Sequence, residues 1–100
     1  GLIDSLRDKI VSGENVGQAH ALVATGNAAL GFVALSSVLS SRNRSRGSRW
    51  DVPGSLHEPI RQDAVLLKRG ASNTAARAFL EYLGTPRGRE VIHGFGYSTQ

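Results

Sequence analysis

Apolar and polar positions alternate in blocks that predict helices separated by short extended runs. Leu2, Ile3 and Leu6 fall at helical spacing with Asp4, Arg7 and Asp8 turned away, which predicts the end of an amphipathic helix over residues 1–9. Ile10 to Ser12 reads as a short strand, and Gly13-Glu14 breaks the pattern. Asn15 is a good N-cap for a helix from Val16 to Thr25, stopped by Gly26. Its buried stripe is expected to be Val16, Ala19, Leu22 and Val23, with His20 beside it. Leu30 to Leu35 is apolar on both faces and bounded by turn formers, which predicts an interior strand of a parallel sheet. Ser36 is then placed to cap a brief helix through Leu39.

Ser40 to Ser48 holds no apolar residue and reads as a solvated loop. Beyond it, Trp50 to Pro53 predicts a short strand. Glu58 to Lys68 predicts an extended run with Ile60, Val65 and Leu67 as its apolar members and Pro59 near its start, where a missing N–H does least harm. Ser72 or Asn73 caps a helix whose Ala76, Phe79, Leu80 and Leu83 repeat at i, i+3, i+4 and i+7, and Gly84 ends it. Thr85-Pro86 opens a last helix carrying Val91, Ile92 and Phe95, closed by Gly94 and Gly96. Helix and strand in alternation predict the α/β class.

Composition narrows the picture. With 100 residues and 40% apolar content, the chain is bounded at one hydrophobic core and is not of disordered type. No window approaches the ~18 apolar residues of a membrane span. No secretory leader opens the chain, and without an initial Met the natural N-terminus is expected to lie upstream. The absence of cysteine excludes disulfides and thiolate metal sites and suits cytoplasm and periplasm equally. The net charge of +4 is accounted for by Arg42, Arg44, Arg46 and Arg49. No aromatic residue separates these arginines, so the segment reads as an exposed loop and not as a nucleic-acid contact.

His20, His57 and His93 lie in three separate segments without metal-ligand spacing, so no metal site is expected. Ser36, Ser37, His57 and Asp63 invite comparison with a hydrolase triad, but neither serine sits in a nucleophile-elbow sequence. The chain is therefore not expected to be an enzyme, and no cofactor is expected.

Four segments taken together carry a resemblance: SLRDKIVSGENVGQAHALVATGNAALGFVALSSVL, GSRWDVPGSLHEPIRQDAVLLKRG, NTAARAFLEYL and REVIHGFGYST. They occur in order over nearly the whole chain and resemble the periplasmic molybdate-binding proteins of ABC importers. The resemblance implies part of a bilobal periplasmic-binding-protein fold of type II. Residues 1–58 would form an α/β portion of the second lobe, residues 59–68 a crossover and hinge strand, and residues 69–100 the helices that return to the first lobe. Members are more than twice this length, so most of the first lobe would lie in a missing N-terminal portion, or a second copy would complete the fold.

The implied function is capture of molybdate or tungstate for a membrane permease, without nucleic acid. An oxyanion can be held by oriented N–H and O–H dipoles, and a helix N-terminus supplies them. Gly13 to Gly17 is a turn entering a helix, so the amides of Asn15, Val16 and Gly17 are the expected oxyanion donors, open to a cleft. The resemblance singles out the N–H of Val16. Glu14, beside them, is expected to make hydrogen bonds around the site, since its carboxylate would repel the anion if it pointed inward. Some members donate a tyrosine hydroxyl where this chain has Ala34, and His20 stands where members carry an apolar or aromatic residue. With so few donors retained, the isolated chain is expected to bind molybdate very weakly. Two rival readings are the effector-binding domain of a cytoplasmic transcriptional regulator and a truncated, non-binding remnant.

Overall fold

The computed structural model describes residues 1–40 and 47–99. Arg42, Arg44 and Arg46 of the expected basic loop lie outside the described residues. The chain divides into two units, Gly1–Gly47 and Ser48–Gln100.

In the first unit, α1 spans Leu2–Leu6 and runs into a 3-10 turn at Arg7–Lys9. Arg7 pairs with Asp4 at 3.0 Å on its solvent side, an exposed i,i+3 pair that contributes little. α2 spans Val16–Ala24. It starts where Asn15 turns extended (φ −156°, ψ 170°) and its Oδ1 accepts the Gln18 N–H at 2.9 Å. At the other end the Thr25 N–H donates to the Ala21 carbonyl at 3.0 Å, and Gly26, at φ +79°, donates to the Val23 carbonyl. A left-handed glycine at this point ends a helix without a Cβ penalty.

α3 spans Leu35–Leu39 and begins one residue before the expected Ser36 cap. The carbonyl of Ala34 accepts from the N–H groups of Ser37 and Val38, so the turn closes on Ala34 and Ser36 lies inside the helix.

In the second unit, Gly54–Leu56 and Lys68–Gly70 form 3-10 turns, and residues 58–67 between them carry neither helix nor strand. α4 spans Thr74–Leu83 and is capped by Asn73, whose Oδ1 accepts the Ala76 N–H at 3.1 Å. α5 spans Pro86–Gly94, with Pro86 in its first turn, where the missing N–H costs no helical bond. Thr85 holds the corner between them: its Oγ1 donates to the Tyr82 carbonyl at 2.6 Å and accepts the Gly88 N–H at 3.1 Å. Gly88 is the one buried residue among those described, and a Cβ there would collide with the Tyr82 carbonyl oxygen. This close approach brings the start of α5 against the end of α4, and the two helices are in contact.

Two expectations are corrected. The runs read as strands, residues 10–12, 30–35, 50–53 and 58–68, form no strand pairing among the described residues, and Leu35 and Lys68 fall in helical turns. A strand exists only against a neighbour that takes up its N–H and C=O groups, and these runs have none. Likewise no hydrophobic side chain is buried among the described residues. Val16 is 63% exposed and Phe79 61%, although both were read as facing a core. Ala19, Leu22 and Val23 of α2, with Ala76, Leu80 and Leu83 of α4, are half-covered. The helical stripes are thus in place without the layer that would cover them.

Candidate anion site

The site is built by the way α2 begins. A helix leaves its first four N–H groups without an intrahelical partner. Asn15 Oδ1 takes one of them, that of Gln18. In the usual capping box the residue at Gln18's position would reach back to the cap residue's own N–H. Here Gln18 Oε1 instead accepts from the preceding residue, the Glu14 N–H, at 2.5 Å. The result is specific: among the described residues, the N–H groups of Asn15, Val16 and Gly17 donate to no protein acceptor.

All three residues are solvent-exposed, so nothing covers these amides. The turn before them is held close to the helix, since a Cβ on Gly13 would sit 2.8 Å from the Ala19 nitrogen. Three free donors at the positive end of a nine-residue helix are an arrangement able to hold an anion. Glu14, also exposed, contributes its backbone N–H to Gln18. The large cavity of the first unit, about 690 Å³, is lined by other, mostly apolar residues. Sequence reasoning missed this cavity, although the exposed run Leu30, Gly31, Phe32 was its signal.

The remaining candidates are dispersed. Ala34, in the place of the lost hydroxyl donor, is half-covered and precedes α3. His20 is half-covered on α2. His57 Nδ1 lies 2.8 Å from the carbonyl oxygen of Glu58, and His93 Nε2 lies 2.9 Å from Thr99 Oγ1. No cluster of three metal-ligating side chains occurs among the described residues. Arg49, the one described arginine of the basic stretch, is paired with Asp51 at 2.8 Å. No helix among the described residues is long and apolar enough to cross a membrane.

Comparison with known proteins decides the family. The model of the bacterial extracellular solute-binding proteins matches residues 1–98. The chain belongs to that family. Over its full length it is 52% identical to the molybdate-binding protein ModA of Azotobacter vinelandii and 47% identical to that of Rhodobacter capsulatus. A ModA of Haemophilus influenzae is 28% identical over 99% of the chain. The chain spans 40%, 38% and 38% of these three relatives, about two fifths of their length. No solved structure matches it. Membership supports the type II binding-protein fold at the level of the family.

Proposed function

We propose that this chain is the anion-holding portion of a solute-binding component of a molybdate and tungstate ABC importer, acting in the periplasm with a membrane permease as partner. The observation that carries this reading is the set of three unpartnered amides at Asn15, Val16 and Gly17, in a chain whose full-length likeness is to molybdate-binding proteins. The anion is held by charge-assisted hydrogen bonds without being transformed, so the protein is a carrier and not an enzyme.

In this reading residues 1–58 belong to the second lobe of an α/β bilobal fold, and residues 69–100 return to the first lobe. Residues 59–68 form the crossover at which the lobes hinge. The lack of helix or paired strand over residues 58–67 supports that role, because a run with no ladder bonds changes its φ and ψ freely. Ligand contacts made only in the closed arrangement shift the population towards it.

The chain by itself offers few donors. Each is worth roughly 1.5 to 3 kcal/mol, against an association cost of at least ~4 kcal/mol. Tight capture requires the rest of the family's fold. Calorimetric titration of molybdate, tungstate and sulfate provides the test, into the chain alone and into the chain joined to the portion of the A. vinelandii relative outside the match. Weak binding alone and tight binding when joined is the expected pattern. Equal, negligible heats in both sink the proposal.

A further inference from the structure

The side chain that closes the first turn of α2 does so out of the usual register. In a capping box the residue three positions into the helix returns to the N–H of the cap residue. Gln18 holds that third position, since α2 starts at Val16 and Asn15 is its cap. Its Oε1 bypasses Asn15 and accepts the N–H of Glu14 at 2.5 Å. The Asn15 side chain meanwhile accepts the Gln18 N–H at 2.9 Å.

The shift by one residue changes which donors are free. In the ordinary register the Asn15 N–H would be taken up by the box. In the register observed the Glu14 N–H is taken instead, and those of Asn15, Val16 and Gly17 donate to no protein acceptor among the described residues. The preceding turn lies close enough for this reach, since a Cβ on Gly13 would sit 2.8 Å from the Ala19 nitrogen.

The chemical type of the side chain matters as much as its reach. A carboxylate at this position would accept the same N–H and would be favoured by the positive end of the helix dipole. The carboxamide accepts without charge, and α2 has no acidic residue in its first turn. Capping alone gives no reason to prefer the weaker acceptor. An anionic guest does, because a fixed carboxylate a few ångströms away repels it.

We infer that Gln18 is a positioning and specificity-determining residue of the anion site. By capping one residue early and without charge, it leaves the Asn15 amide free and keeps the first turn of α2 open to a dianion. This rests on the anion reading of the three amides.

Two measurements test it. In the full chain, amide exchange should be at least about threefold slower at Glu14 than at Asn15, Val16 and Gly17, and Gln18→Ala should abolish that difference. In the chain joined to the unmatched portion of the A. vinelandii relative, Gln18→Glu should leave the urea midpoint unchanged or raised. The same variant should bind molybdate at least about tenfold more weakly than the parent. Gln18→Ala, which adds no charge, should bind more tightly than Gln18→Glu. Protection at Asn15 in place of Glu14 overturns the inference. So does a Gln18→Glu variant with the affinity of the parent, or with a loss no greater than that of Gln18→Ala. A parent fusion that binds no molybdate, tungstate or sulfate overturns the function proposed above, and this inference with it.

Discussion

Proline at position 16 isolates one backbone donor. Val16 occupies the first helical position of α2, where an N–H has no intrahelical acceptor and where proline is favoured. Proline also restricts the residue before it to extended backbone, and Asn15 already has φ −156° and ψ 170°. The side chain is 63% exposed, so no packing is lost. Val16→Pro therefore removes one amide hydrogen and leaves the helix intact, with stability expected within about 0.5 kcal/mol of the parent, as for an ordinary surface change. If that amide donates to the anion, its loss costs roughly 1.5 to 3 kcal/mol, or about 10- to 150-fold in affinity. The assay is titration calorimetry with molybdate on the chain joined to the unmatched portion of the A. vinelandii relative. Val16→Ala, which keeps the amide, serves as the control. Equal affinity in the proline and alanine variants would refute the assignment of Val16.

Asn15→Ala removes the cap on Gln18 and should destabilise the same fusion by about 1 kcal/mol in urea titrations, with weaker molybdate binding as the first turn frays. Thr85→Ala should cost a similar amount, about 0.5 to 2 kcal/mol, by loss of the α5 cap, with no change in anion affinity once the protein is folded. Gly88→Ala places a methyl against the Tyr82 carbonyl and should lower stability by about 1 to 3 kcal/mol, read as a drop in thermal midpoint. On immobilised DNA the chain should elute by physiological salt; retention beyond it would show that the arginine-rich stretch does bind phosphate.

Local chemistry was legible in the sequence and long-range chemistry was not. Asn15, Asn73 and Thr85 each cap the helix expected of them, because a cap bond spans only three residues and depends on little else. The unpaired amides at Asn15, Val16 and Gly17 follow from the same local rule. Ser36 failed as a cap because the carbonyl of Ala34, two residues earlier, closed the turn. Burial at Val16 and Phe79 was misread because a periodic stripe reports which face would be covered and not whether a covering layer exists. The strand at residues 30–35 was misread for the same reason, since pairing is a property of two segments and periodicity describes one. At the start of α2 the amides without a protein acceptor could be read from the sequence, because they depend only on the helix beginning at Val16.

Gln18 has a consequence for selectivity. Its carboxamide already occupies the amide of Glu14, so on the proposed reading an oxyanion would meet three free donors while the fourth is held by an internal competitor. A ligand with enough negative charge to displace the glutamine would recruit that fourth dipole and pull the turn at residues 12–14 with it. A weaker acceptor would leave the turn undisturbed. If the site is as proposed, one neutral side chain sets how much negative charge a solute needs to gain the fourth donor.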